Sequence, residues 1–185
     1  NCNIYGFAQE GIEFTPSAAA SLFVKDTVIS NNNAATGGGI FAQGTAAGTA
    51  SVFLDNVRLE RNFFGIKIQD FSKAQVRDST AVGNVNNGFW AFSASQPVEM
   101  VIETSRSAGN GVGGVRAEGP ATVIRLSDTT VTNNLVGFQT GTGGQIESFG
   151  NNHQVGNNTN NAIVLILNTP NNAFVDSPFY ITSIG

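Results

Sequence analysis

The sequence predicts an all-β, single-domain chain wound as a parallel β-helix of about six coils. Three observations predict this class. A glycine-led strand pattern recurs at spacings of 23 to 28 residues, and a second block with asparagine at a fixed position follows each copy. Within both blocks, apolar and polar residues alternate with period two, and no helical period is present.

The first repeated element is a glycine followed by alternating residues. Its six copies lie at residues 11–14, 39–42, 65–68, 88–91, 114–117 and 137–140. Because successive side chains of a strand point to opposite faces, each copy predicts one strand with one face inward. A unit of this length without helix is typical of one β-helix coil.

The second element runs from an Asp, Asn or Thr to an Asn six residues later. Its copies lie at 26–32, 56–62, 78–84, 104–110, 128–134 and 152–158. Asparagine suits tight turns, and stacked side-chain amides hydrogen-bond along the axis, so the pattern predicts an asparagine ladder. The predicted ladder is Asn32, Asn62, Asn84, Asn110, Asn134 and Asn158.

The apolar residues of the repeat predict a core made of columns. Equivalent positions of stacked coils lie about 4.8 Å apart. The predicted inward columns are Leu22, Val52, Ala74, Met100 and Ile124; Val24, Leu54, Val76, Ile102 and Leu126; and Ile29, Leu59, Ala81, Ser107, Val131 and Val155. The same register places His153 and Cys2 inward, with Cys2 as a buried apolar filler.

The repeat delimits the chain into coils and a tail. Coils are predicted for residues 1–161, and residues 162–185 are predicted to form a strand-containing tail that caps the open end. Because Asn1 fits the start of a second block, the chain begins inside a coil. We therefore expect further coils or a cap before Asn1.

Composition narrows the possible partners. Charged residues make up 12% of the chain and the net charge is −4, so a nucleic-acid partner is excluded. The longest apolar run, residues 163–167, is too short to span a membrane. The acids Asp26, Asp78 and Asp128 lie about 10 Å apart in their column and supply no calcium ligand set. No metal and no cofactor is predicted.

Outward residues of the first element form a strip that is predicted to bind a ligand. Its central column is Glu13, Phe41, Lys67, Trp90, Arg116 and Gln139, and its flanking column is Thr15, Gln43, Gln69, Phe92, Glu118 and Gly141. The predicted contact residues are Glu13, Phe41, Lys67, Gln69, Trp90, Phe92, Arg116 and Glu118. Exposed aromatic rings beside charges and amides suit extended sugar polymers. The alternative is that loops 44–50 or 94–97, or a subunit contact, cover the aromatics.

A second outward column alternates in charge and predicts a structural role. It runs Lys25, Asp55, Arg77, Glu103 and Ser127. Opposite charges on neighbouring strands form a ladder of cross-strand ion pairs, so these residues are poor candidates for catalysis.

The repeat architecture and the asparagine column resemble right-handed parallel β-helix proteins of the pectate-lyase-like superfamily, and small bacterial β-helix repeat proteins in particular. The resemblance implies right-handed winding, as the rule for parallel crossovers also does. It implies an extracellular or cell-surface location. Lyases of that superfamily bind calcium through acidic residues and use an Arg or Lys as the base, but no such motif is present here. Catalytic residues therefore stay unassigned, with Lys67 or Arg116 as the base if there is one, supported by Glu13 or Glu118.

Three functions follow as hypotheses. The first is a non-catalytic scaffold or binding module for a polysaccharide or a protein partner. The second is a polysaccharide-active lyase, hydrolase or epimerase, and the third is a unit that oligomerises through its ends or the aromatic strip. The scarcity of charges outside the ion ladder favours the first.

Overall fold

A computed structural model describes residues 2–35 and 37–165 of the chain, and this part is all-β and without helix. Its coils stack into a parallel β-solenoid of about six turns. The strands are β1 (Cys2–Tyr5), β2 (Glu10–Phe14), β3 (Ala20–Ser30), β4 (Gly38–Gln43), β5 (Ala50–Glu60), β6 (Ile66–Gln69), β7 (Ser72–Arg77), β8 (Thr80–Val82), β9 (Phe89–Phe92), β10 (Val98–Glu103), β11 (Arg106–Ala108), β12 (Gly113–Glu118), β13 (Thr122–Ser127), β14 (Thr130–Thr132), β15 (Val136–Gly141), β16 (Gln145–Ser148), β17 (His153–Val155) and β18 (Val164–Leu165).

The strands form two sheets that enclose the core. Each coil contributes one strand to a six-stranded parallel sheet, in the spatial order β15-β12-β9-β6-β4-β2. The other strands form a twelve-stranded sheet, in which the long strands β3 and β5 turn a corner and join two legs. The all-β, single-domain β-helix class predicted from the sequence is confirmed.

The corner between the two legs is made by a column of residues in the left-handed region. Their φ angles lie between 47° and 53°. The column is Asp26, Asn56, Asp78, Thr104 and Asp128. Asp and Asn tolerate this conformation better than other side chains, which explains why they dominate the first position of the second element. These acids therefore serve the turn, as their spacing predicts.

A column of hydroxyl groups follows the corner. Each hydroxyl donates to the carbonyl two residues earlier, at 2.7–3.0 Å; the members are Thr27, Ser79, Ser105 and Thr129. The Ser79 oxygen also accepts the amide of Val57, and the Ser105 oxygen accepts the amide of Ser79. The column thus satisfies backbone amides that the turn removes from the sheet.

The core columns follow the predicted register over five coils. Val52 aligns with Ala74, and Ala74 aligns with Met100. The third column aligns Leu59 with Ala81 in the same way. All five side chains are buried. The inner volume is therefore filled by apolar side chains, and chemistry is left to the outer faces.

The asparagine column is joined by side-chain hydrogen bonds. The amide oxygen of Asn110 accepts the backbone N–H of Asn84 at 3.1 Å and its side-chain N–H at 2.9 Å. Asn134 does the same for Asn110, and Asn62 for Asn32. These buried amides satisfy one another and the turn.

In the sixth coil the predicted register is wrong by one residue. Asn157, rather than Asn158, accepts the backbone and side-chain N–H groups of Asn134, both at 2.9 Å. His153 and Val155, predicted inward, are exposed, because a shift by one residue exchanges the two faces of a strand.

The reason for this error lies in two asparagine pairs. Residues 151–152 and 157–158 are both Asn-Asn, so the six-residue offset is satisfied in either register. Gly156 decides between them, since it has φ 70° and occupies the left-handed position that Gly83 and Gly109 hold before Asn84 and Asn110.

The first coil is more open than predicted. Cys2 aligns with Thr27 of the inward-facing hydroxyl column, but it is exposed. Among the described residues, β1 pairs only with β3, so no strand covers the other side of Cys2. Asn1 and most of the predicted tail lie outside the described residues; β18 pairs with β16, and the capping role stays a prediction.

The charged column forms ion pairs at its first three members only. Lys25 lies 2.8 Å from Asp55, and Arg77 lies 3.4 Å from the same carboxylate. Arg77 also approaches Asp78 at 3.5 Å. Glu103 aligns with Arg77 in register, yet it makes no ion pair within the part of the chain that the structure describes.

Candidate functional site

The six-stranded sheet brings the strip residues onto one outer face. The central column runs in register from Glu13 to Gln139, one residue per strand. In the flanking column Gln69 aligns with Phe92, and Phe92 with Glu118. All eight residues predicted to contact a ligand therefore share this face. At about 4.8 Å per strand the face is about 25 Å long and follows the axis.

Lys67 is surrounded by three aromatic rings. Its ammonium nitrogen lies 4.3 Å from the ring centroid of Trp90, 5.3 Å from that of Phe92 and 5.9 Å from that of Phe41. A cation within about 6 Å of a ring centroid is attracted by the ring quadrupole. Lys67 makes no salt bridge in residues 2–35 and 37–165. Its positive charge is therefore held by rings rather than by a carboxylate.

Burial shifts the titration of this lysine. Loss of hydration lowers the pKa of Lys67 below the ordinary lysine value. Glu118 and Glu10 oppose that shift, and the like charge of Arg116 adds to it. The neutral amine is consequently easier to form here than at an exposed lysine.

Trp90 stands between two cations. Lys67 comes from β6 and Arg116 from β12, the strands on either side of β9, so the two cations approach the indole from opposite sides. The Arg116 guanidinium carbon lies 5.1 Å from the ring centroid, and its nitrogen lies 2.9 Å from Glu118. The faces of the indole are therefore occupied, and Trp90 is not a free stacking platform. Rings and cations together form the surface.

The sequence patterns did not predict a third column of residues on this face. It consists of the residue before each repeat glycine: Glu10, Gly38, Phe64, Asn87, Gly113 and Val136. The Phe64 ring packs edge-on against Trp90, with 6.3 Å between centroids. A Cβ atom at Gly38 would lie 2.2 Å from the Phe64 ring, so glycine makes room for this ring. The fixed offset from the repeat glycine is the signal that locates the column.

Four polar atoms of this face are buried and have no hydrogen-bond partner within residues 2–35 and 37–165. They are Oδ1 of Asn87, Nε1 of Trp90, Nε of Arg116 and Oε1 of Gln139, and they come from three successive coils. A Cβ atom at Gly113 would lie 2.6 Å from the Asn87 oxygen and 3.1 Å from the Gln139 oxygen. Glycine thus opens a notch that two acceptors face. Buried polar groups in native proteins usually find partners, so these four atoms are the groups of this face whose hydrogen-bonding capacity the described residues leave unused.

The repeat geometry agrees with a comparison of protein families. The family model described as "Right handed beta helix region" matches residues 1–113, which is more than half of the chain. The chain belongs to this family. No curated protein and no solved structure matches the chain. The match agrees with the parallel coils of the structure, and the winding of this β-helix is right-handed.

Two further observations describe the right-handed β-helix. In the described residues, no group of three or more His, Cys, Asp or Glu side chains is arranged to hold a metal ion. Over the same ranges, no helix has the length and apolar character that a membrane span needs. His153 lies on the other sheet, aligned with Thr130, away from the strip.

Proposed function

We propose that the protein is a non-catalytic binding module whose strip holds an extended acidic polysaccharide along the coil axis. The observation that carries this proposal is the central column, in which aromatic rings and cations alternate from Phe41 to Arg116 in strict register. A flat face with one side chain per strand matches a polymer with a regular repeat better than it matches a compact ligand.

The charge of the strip favours a carboxylated sugar. Glu118 partly neutralises Arg116, whereas Lys67 has no carboxylate partner among the described residues. A ligand carboxylate beside Lys67 would gain a charge-assisted hydrogen bond. The buried donors on Trp90 and Arg116, and the acceptor on Gln139, supply partners for sugar hydroxyls after small side-chain movements.

Calorimetric titration with an oligogalacturonate and with a neutral cello-oligosaccharide of the same length tests this proposal. We expect the acidic oligomer to bind more tightly and Lys67→Met to weaken binding by about tenfold, the equivalent of about 1.4 kcal/mol. Lys73→Met, on the exposed face of β7, is the matched control and should leave binding unchanged. Absence of binding, or equal loss in both variants, would refute the proposal.

A lyase is the second candidate, and the lowered pKa of Lys67 supports it. A neutral Lys67 amine would take the proton α to a uronate carboxylate, the C=C bond would form as the glycosidic C–O bond breaks, and the resulting ammonium would give that proton to the departing oxygen. Ultraviolet absorbance of that product on oligogalacturonate distinguishes the two candidates. Turnover that Lys67→Met abolishes would replace the binding proposal with the enzymatic one.

A further inference from the structure

A second aromatic surface lies on the twelve-stranded sheet, outside the strip. The rings of Phe23 and Phe53, from the neighbouring strands β3 and β5, stack with 4.7 Å between centroids and 8° between planes. Phe23 is 72% exposed, the highest value among the large hydrophobic residues of the described chain. Two parallel rings with an open outer side form an apolar platform.

A depression of about 210 Å³ adjoins this platform. It is lined by Phe53, Leu54, Asp55, Gln75, Val76, Arg77 and Glu103. Gln75 aligns with Phe53 in the next strand, so the column changes there from aromatic rings to an amide. The volume is below the range of about 300–1,000 Å³ that is typical for drug-sized ligands, which limits the occupant to one small ring.

Some charged groups of the depression form ion pairs with their neighbours, whereas Glu103 forms none in the described residues. The Arg77 guanidinium is turned towards Asp55 and Asp78, and Lys25 binds Asp55 as well. Glu103 is exposed and makes no ion pair in the described residues, although it aligns with Arg77. The depression therefore has an apolar ring on the β5 side and, two strands away on β10, an uncompensated carboxylate that accepts hydrogen bonds.

We propose that this depression binds one neutral sugar ring. The apolar face of the sugar packs on Phe53, and its hydroxyls donate to Glu103 and exchange hydrogen bonds with Gln75. Phe23 extends the same platform by one strand. The uncompensated carboxylate of Glu103 disfavours an acidic sugar, so the preference is opposite to that of the strip, where Lys67 is the charge without an ionic partner among the described residues. The site lies on another sheet and does not depend on the proposed function.

Amide ¹H–¹⁵N NMR spectra of the full chain test the site. The probes are a cello-oligosaccharide, an oligogalacturonate and a lysine tetrapeptide, each titrated into the wild type and into Phe53→Ala, Glu103→Gln and Trp90→Ala. We expect the neutral oligosaccharide to shift amides of β3, β5, β7 and β10. At these strands, Phe53→Ala should weaken binding at least tenfold and Glu103→Gln should weaken it severalfold, while Trp90→Ala changes only the strip and should leave the shifts of β3, β5, β7 and β10 in place.

Phe149→Ala removes an exposed ring away from the platform and is the control; it should bind like the wild type. The spectrum of each variant also reports whether it is folded, and Glu103→Gln changes only an exposed group. No shift at these strands with the neutral sugar would overturn the site. Shifts caused only by the lysine peptide would also overturn it, in favour of a basic protein partner.

Discussion

The ammonium nitrogen of Lys67 lies 4.3 Å from the centre of the Trp90 ring, and Phe92 and Phe41 complete a three-ring enclosure. The arrangement arises because equivalent positions of neighbouring coils are adjacent. Lys67 therefore lies between Phe41 of the preceding coil and Trp90 of the following coil, and Phe92 lies in the flanking column. The ring quadrupoles offset part of the cost of removing the cation from water. The pKa of Lys67 is therefore lowered, whereas the pKa of Lys25, beside Asp55, is raised.

Lys67 and Lys25 should separate in an NMR titration after reductive ¹³C-methylation. Burial lowers the pKa of Lys67, while the Asp55 carboxylate raises that of Lys25. We expect the Lys67 methyl signal to move upfield through the ring current of Trp90 and to titrate at a lower pH than that of Lys25. Trp90→Ala should remove the upfield shift. Coincident titration of Lys67 and Lys25 would contradict the enclosure.

Lys67 should also make stability depend on pH in the alkaline range. Its folded pKa is lowered, so between that pKa and the ordinary lysine value the unfolded chain binds more protons. Lys67 therefore contributes more to the free energy of unfolding, and so to stability, as the pH rises across this window. Urea unfolding measures this for the wild type and for Lys67→Met. Between neutral pH and a pH near the ordinary lysine pKa, the free energy of unfolding of the wild type should increase relative to that of the variant. A constant difference would exclude the shift.

The sixth coil allows a paired test of register. Asn157→Ala removes the oxygen that accepts two N–H groups of the buried Asn134. We expect a loss of about 1–3 kcal/mol, because the backbone N–H of Asn134 is left unpaired while its side-chain amide keeps the carbonyls of Ser107 and Thr132. Asn158→Ala is the control and should stay within about 0.5 kcal/mol of the wild type, because Asn158 is exposed. Denaturant unfolding measures both, and the reverse order would restore the register predicted from the sequence.

Thr104 is the one β-branched residue of the corner column, with φ 48°. A residue other than glycine in this region costs about 1–3 kcal/mol, and asparagine tolerates it better. Thr104→Asn should therefore stabilise the protein by about 1 kcal/mol. Thr130→Asn, in β14, provides the comparison and should give no gain. Thermal unfolding decides, and equal effects at both positions would argue against strain at the corner.

The notch at Gly113 should not accept a methyl group. The added Cβ would lie 2.6 Å from the Asn87 oxygen, whose side chain is fully buried. We expect Gly113→Ala to destabilise the fold by about 1–3 kcal/mol, as overpacking does. Gly141→Ala is the control, since its Cβ would make an ordinary 3.7 Å contact with Glu118. Comparable stability of the two variants in urea would mean that Asn87 moves aside.

Much of this fold could be predicted because the repeat fixes which residues are neighbours. The alignment of Lys67 with Trp90 and Arg116 follows from counting residues after each repeat glycine. Counting residues gave the wrong register in the sixth coil, because either Asn157 or Asn158 satisfies the repeat there and the structure uses Asn157. There the decisive residue was Gly156, whose left-handed conformation belongs to the turn rather than to the strand pattern.

Which ion pairs and ring contacts each side chain makes could not be predicted from the strand alignment alone. Arg77 has acidic neighbours in both adjoining strands, and its choice of Asp55 over Glu103 depends on rotamers. The same holds for Trp90, which was expected to present an open ring and instead lies between two cations. The exposure of Cys2 depends on how many strands cover it, which the repeat itself does not state.

The asparagine column has a direction. In every link the earlier coil donates and the later coil accepts, from Asn32 to Asn157. The amide dipoles therefore point the same way along the axis. A junction that extends this column must be heterologous, with the first coil of one copy on the last coil of another. A two-fold junction would set like groups against each other, so end-to-end growth of this molecule would give a polar filament rather than a closed dimer.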